Sequence, residues 1–430
     1  MTLRWSRIHA KLGESPGELT FAHIEAAVAQ NMTEEDDLDW KKTLPCKEEK
    51  CLEEFAKDVA AMANTRGGLL VYGVEEESGT GKAKSFRSTA VDEPARRRLR
   101  ALAASRVHPP VLGLEFAALT GTDGHGNSDS VLVLQVPRSP DAPHLVGQQE
   151  RLGVPYRNGA ETAWMRERDL ERAYRDRFSR REAEGARLSR MIDELIDHLD
   201  RSELPWIVAV ASPRTPLPFI AAPAARADVR PILEAALRGG LDIAPASGRT
   251  WPVLRELASH VDNPAVGLRR WMVRTPTSEG PDALSRYVHA ELHHDGSVGL
   301  AVAQAPWPPE IMGEYDPVFC ALIERFAADF VALVSASAGR SADAMPFGSR
   351  TNLVGSDGSR PFAAVDHQVI AGFSSGNHVI VPGSRFIPMF QPLNGEVPVL
   401  TETDTLRDVA RQLATDVLAQ FGVSRLHLLA

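Results

Sequence analysis

The chain has 430 residues, 43% of them hydrophobic and 24% charged, with 48 Lys and Arg against 57 Asp and Glu. Length and composition are those of an ordinary globular protein of about two domains. The mild excess of acid argues against a general nucleic-acid coat protein, which needs a basic surface, and without a run of about 18 apolar residues no membrane span is expected.

Taken in order, MTLRWSRIHAKL is basic but lacks the continuous apolar stretch of a signal peptide, so the cytoplasm is the expected compartment. Residues 1–33 read as a helical lead-in. Thr20 caps a helix through about Gln30, with Phe21, Ile24, Ala27 and Val28 facing inward. An acidic turn around Asp36 follows, then a helix whose apolar face is Leu52, Phe55, Ala56, Val59, Met62 and Ala63. Lys50, Glu53, Glu54, Lys57 and Asp58 fill its expected polar side. Asn64 to Gly68 stops that helix, because Asn and Gly tolerate a left-handed backbone. The run Leu69–Val74 reads as a central strand. Of the three cysteines, Cys46 and Cys51 lack the second ligand pair of a zinc site and are expected to be structural, and no disulfide framework is expected.

Beyond this, Glu75–Phe86 is a polar loop, and Pro94 opens a basic helix that ends at Pro109-Pro110. Val111–Ala118 and Ser130–Val136 read as a hairpin. Arg166–Arg181 is expected as a charged helix with Leu170, Ala173 and Phe178 inward, continuing through 182–204 as a connector. Residues 205–430 read as a second α+β domain. Its strands are WIVAVASP, RRWMVRTP and the hairpin turning at Asp295-Gly296, with amphipathic helices at Phe319–Ala336 and Thr403–Phe421. On that hairpin His289, Glu291 and His293 share one face. Two imidazoles and a carboxylate suit zinc, but a polar outer face explains them equally, and no metal site is assigned.

The stretch around the central strand carries a resemblance. Glu34, Asp39-Trp40-Lys41, Ala61, Asn64, Gly67-Gly68, Gly73-Val74 and Glu76, followed by the Tyr156-Arg157-Asn158-Gly159 element, resemble the Schlafen-type AlbA-like domain over about residues 34–180. The resemblance implies a mixed sheet with packed helices over 34–181, nucleic-acid binding, and a role in regulation or defence. It also implies a catalytic trio, Glu34, Asp39 and Glu76, as in Schlafen-type ribonucleases. Such carboxylates can hold a divalent cation that clamps a phosphate. Magnesium or manganese enters only with that nuclease alternative, and no other cofactor is expected. Here Asp39 stands for a glutamate and Trp40 for a phenylalanine.

Lys41, Lys42, Arg66, Lys82, Lys84 and Arg157 are the expected phosphate contacts, which neutralise charge without reading bases. Asn64, Gly67, Gly68 and Gly73 form the structural motif. GTGKAKS fails as a phosphate-cradling loop, lacking the upstream glycine and the closing hydroxyl. A protein–protein or sensing module is the third reading.

Overall fold

The computed structural model describes residues 7–14, 18–122, 128–148, 151–202, 204–214, 225–246, 251–276, 286–304, 314–338, 346–356, 360–368, 377–399 and 402–430. The architecture is α+β, and the chain divides into two compact units between Glu182 and Ala183.

The first unit begins with helices α1 (Arg7–Leu12) and α2 (Phe21–Ala29), then β1 (Leu38–Lys41), α3 (Glu49–Ala63) and β2 (Gly67–Tyr72). There follow β3 (Val74–Glu77), β4 (Lys82–Phe86), α4 (Glu93–Arg106), β5 (Val107–His108), β6 (Glu115–Thr122) and β7 (Ser128–Pro137). Strands β8 (Leu145–Gln148), β9 (Arg151–Gly153), β10 (Pro155–Asn158) and β11 (Glu161–Trp164) lead to the long helix α5 (Glu167–Asp197).

The central sheet has the order β1-β2-β7-β6. Strands β1 and β2 are parallel, so α3 is the crossover such a pair requires, while β2–β7 and β7–β6 are antiparallel. Alternation along β2 and β7 makes both faces apolar. Leu70, Tyr72, Leu132 and Leu134 pack under α3 and α4 through Phe55, Val59, Met62 and Leu99. Leu69, Val71, Val131 and Val133 face Ile8, Phe21, Ile24 and Trp40, so the lead-in helices cover the second face. The expected Ser130–Val136 strand is therefore interior, as its unbroken apolar run requires.

Glu75–Phe86, expected as a polar loop, is the antiparallel hairpin β3–β4, and three further local expectations need correction. Asn64 ends α3 in right-handed geometry (φ −75°, ψ −12°), not left-handed. Its amide acts instead as a clamp: Oδ1 accepts the His144 N–H at 2.7 Å, and Nδ2 donates to the carbonyls of His144 and Pro155 at 3.0 and 2.8 Å. Cys46 and Cys51 are joined as a disulfide with their Cα atoms 5.5 Å apart, a pairing their tight loop permits. Phe178, expected inward, is 58% exposed.

The left-handed conformations fall on the glycines instead. Gly67 (φ +75°) and Gly68 (φ +156°) open β2, and Gly73 (φ +101°) separates it from β3. At Gly68 a Cβ would lie 2.5 Å from the Asp37 carbonyl oxygen, where Leu69 N–H donates to that same oxygen. No side chain fits between β1 and the start of β2.

In the second unit, β12 (Trp206–Pro213), α6 (Arg226–Ile243), β13 (Ala265–Gly267), β14 (Arg270–Arg274), β15 (Arg286–His293) and β16 (Val298–Gln304) come first. Then come β17 (Asp316–Phe319), α7 (Cys320–Ala338), β18 (Phe347–Val354), β19 (Phe362–Gln368), β20 (Asn377–Ile380), β21 (Leu393–Val397) and α8 (Thr403–Ala419). An antiparallel sheet of order β13-β14-β15-β16-β12-β18-β21 carries α6, α7 and α8 on one face. Leu188, Met191, Ile192 and Leu195 of α5 cover the other, against Trp206, Val208, Val210 and Ala301. The helix expected as a connector thus contributes core to this unit from Ala183 onward.

Buried charges fasten the second unit. Glu324 of α7 is fully buried, and its two oxygens accept the backbone N–H groups of His427, Leu428 and Leu429 at 2.6–3.0 Å. Burial pushes the Asp329 carboxyl up to about 7, opposed by the Leu254 N–H and the Arg325 guanidinium.

Candidate nucleic-acid interface

The site grows out of β1. Strand alternation turns Leu38 and Trp40 into the lead-in core and sends Asp39 and Lys41 to the α3 side, where both meet Asp58. Lys41 Nζ lies 2.9 Å from Asp39 Oδ1 and 3.2 Å from Asp58 Oδ2. From β10, the Arg157 Nη2 lies 3.1 Å from Asp39 Oδ2, and its backbone N–H donates to Thr65 Oγ1 at 2.9 Å. Asp39, Asp58 and Arg157 are all buried. Two anions and two cations therefore compensate one another beneath the surface, which is the condition for charges to sit there at all.

Asp58 was expected on the polar side of α3. Its place between Phe55 and Met62, three residues after one and four before the other, puts it on the inward flank, and that spacing is the signal that locates it. Burial pushes its carboxyl up to about 6 despite Lys41. Burial opposes the Lys41 charge, yet Asp39 and Asp58 hold its ammonium above the usual lysine range. Burial, with Asp58 and Asp39 nearby, drives the Tyr72 hydroxyl well above its ordinary value.

Glu34 is the carboxylate left over. Its Oε1 accepts the Trp40 N–H at 2.7 Å, while Trp40 Nε1 donates to the Met32 carbonyl at 3.0 Å. Burial, then the adjacent Asp39, push Glu34 up to about 8, and Glu76 adds to the effect. Glu34, Asp39 and Glu76 are thus electrostatic neighbours. Of the Glu75–Glu77 run, Glu75 is spent on Lys42 and Arg87, each at 2.7 Å, and Glu77 accepts the Thr80 hydroxyl at 2.8 Å. Glu76 alone is the one that faces Glu34 among these three.

These three carboxylates are not gathered as one group of ligand atoms among the described residues. Among the described residues, the group of three His, Cys, Asp or Glu whose ligand atoms lie within 4.8 Å of one another is Cys46, Glu48 and Cys51, and its sulfurs are bonded to each other. Asp39 already has two cations on it, and burial beside Asp39 raises the Glu34 carboxyl to about 8. A metal would have to displace Lys41 or Arg157 and deprotonate Glu34.

The expected phosphate contacts separate into three kinds. Lys41 and Arg157 turn inward onto Asp39 instead of standing free at the surface. Lys42 is exposed but paired to Glu75, and Arg66 is exposed with Asp36 at 3.7 Å. The exposed side chains of Lys82 and Lys84, on β4, make no ion pair among the described residues. The acidic turn is answered by Arg7 of α1, which pairs with Glu35, Asp36 and Asp37.

On β15 the alternation of His289, Glu291 and His293 holds, but their face is not an outer one. Glu291 is 1% exposed, with His289 Nε2 and His293 Nε2 at 3.2 and 3.0 Å from its two oxygens and Arg270 Nη1 at 3.3 Å. Burial opposes the Glu291 charge, yet the two imidazoles hold it well below the usual carboxylate range. The imidazoles are aimed at the carboxylate, not at a shared ligand position.

Residues 34–166 match the family model described as Schlafen, AlbA_2. No curated protein matches the chain. The DIP2311 protein from Corynebacterium diphtheriae, known from a crystal structure, aligns at 17% identity and a TM-score of 0.23, over 52% of this chain and 38% of its own. That likeness is too slight to carry any conclusion. The family match falls on the segment that supplies the parallel β1–α3–β2 unit, the glycines of β2 and the Arg157 strand, and residues 34–166 are a Schlafen AlbA_2 domain.

Proposed function

We propose that the Schlafen AlbA_2 domain binds nucleic acid through phosphate contacts, without metal-dependent cleavage at Glu34, Asp39 and Glu76. The observation that carries this reading is how charge is distributed in the domain. Carboxylates that would hold a cation are compensated from within by Lys41 and Arg157, while Lys82 and Lys84 project unpaired from β4. Exposed cations lower the free energy of a polyanion that approaches them, and do so whatever its sequence.

The test is an affinity measurement on mixed single- and double-stranded DNA and RNA with a salt titration. Affinity should fall as salt rises, and Lys82→Glu with Lys84→Glu should weaken binding and flatten the salt slope by roughly two phosphates' worth. Failure to bind at low salt would refute the reading. The nuclease alternative is favoured by one feature, the convergence of Asp39 and Glu76 on Glu34. Cation-dependent cleavage of RNA that Glu76→Gln abolishes would put that alternative first.

A further inference from the structure

A second cationic feature of the same domain is built on Arg138 and the first half of α5, none of whose arginines is among the expected phosphate contacts. A cavity of about 330 Å³ is lined by Asn64, Arg138, Tyr156, Asp169, Arg172 and Arg180, with Met165, Asp176 and two alanines completing the wall. Arg138 follows the end of β7, and Arg172, Asp176 and Arg180 recur at helical spacing along the first half of α5.

The guanidiniums here are poorly compensated. Arg138, Arg172 and the neighbouring Arg177 make no ion pair among the described residues, and the buried Nε of Arg177 has no hydrogen-bond partner. Arg180 donates to the Ala142 carbonyl at 3.1 Å, and Arg181 is taken by Asp141 at 3.2 Å. Burial, then Arg138, pull the Arg180 guanidinium below its ordinary value, with Arg177 adding to the effect against Asp176 and Asp141. Like charges held together around a cavity are relieved when an anion enters it. The wall is not purely cationic, because Asp169 and Asp176 can accept from hydroxyl or amino groups and Tyr156 offers an aromatic surface. That mixture suits a nucleoside phosphate better than a bare anion.

We propose that this cavity binds a nucleoside phosphate, with Arg138, Arg172 and Arg180 on the phosphate and Tyr156 against the base. The ligand is a free nucleotide or an unpaired nucleotide of a strand, and the choice of ligand class rests on the nucleic-acid reading above. Guanidiniums suit this role because their planar donors match phosphate oxygens.

The experiment uses the full chain and three probes: adenosine monophosphate and inorganic phosphate by calorimetry, and a short mixed-sequence single-stranded RNA by fluorescence anisotropy. Arg138 and Arg172 are exposed and unpaired, so R138A/R172A should fold, as an unchanged melting temperature would confirm. That variant should weaken binding of the nucleotide or the RNA by about tenfold or more, and Asp176→Asn should tighten it. Nucleotide binding identifies the free source, and RNA binding alone identifies the strand. If no nucleotide binds, RNA binding that survives R138A/R172A but is lost in K82E/K84E overturns the cavity and leaves the domain's proposed function standing. Nucleotide binding lost in R138A/R172A, without any RNA binding, supports the cavity while removing the strand reading. Inorganic phosphate binding as tightly as the nucleotide overturns the nucleoside part, and no binding of any probe overturns both.

Discussion

Replacing Glu34 by glutamine should stabilise the protein, and only above a certain pH. Glu34 is raised from 4.5 to about 8 because it is largely buried and stands next to Asp39. Between those values the unfolded chain has released the proton that the folded chain still holds. The unfolded state therefore binds fewer protons, and stability falls as pH rises through the window. The penalty is absent below 4.5 and complete above about 8. A shift of this size corresponds to a ceiling of about 5 kcal/mol, but Glu34 keeps part of its surface in water, and screening reduces the expected effect to about 1–2 kcal/mol. Glutamine keeps an oxygen to accept the Trp40 N–H and carries no proton to lose. Thermal unfolding of Glu34→Gln and the natural protein should therefore coincide near pH 4, and the variant should melt higher by a few degrees near pH 8.5. A variant that melts lower near pH 8.5 than the natural protein would show Glu34 ionised and favourably paired, and the buried-carboxylate account would fail.

Further outcomes follow from other parts of the structure. Gly68→Val should cost about 2–5 kcal/mol, from a backbone conformation that valine avoids and from overlap with Asp37; Gly159→Ala, with positive φ but nothing within 4 Å, should cost less than half as much in the same melting assay. Arg157→Met leaves Asp39 with Lys41 alone and should cost about 3 kcal/mol, and adding Asp39→Asn should restore part of it, which a double-mutant cycle measures. Glu324→Ala should release His427–Leu429, seen as faster amide exchange and earlier proteolysis of that segment.

Much of the first domain can be read from its sequence, because it rests on local rules. The spacing of Phe55, Val59 and Met62 defines the buried face of α3, and a glycine pair followed by an apolar run announces β2. Charge pairing is not local. Nothing in the neighbourhood of Asp39 indicates that Arg157, from a hairpin far along the chain, closes over it. Lys41 and Arg157 therefore look like surface cations until the fold shows what they face. Asp58 was within reach, since its helical position is inward, but its charge suggests solvent. In the second unit α6 escapes notice because Pro231 lies inside it, although Val229, Ile232, Leu233 and Ala236 keep the helical period. The burial of His289, Glu291 and His293 depends on which element covers β15, a matter of tertiary packing that alternation cannot supply.

Glu324 has a consequence for the order in which the second unit forms. It sits on α7, and the backbone groups it accepts lie 103 to 105 residues later. Until His427–Leu429 arrive, Glu324 lacks those donors, so its helix face stays wet. During synthesis from the N-terminus, α7 can form as a helix but cannot bury this side chain with its acceptors satisfied ahead of that segment. The carboxylate acts as a checkpoint on assembly, tying completion of the core to the arrival of one late stretch of chain.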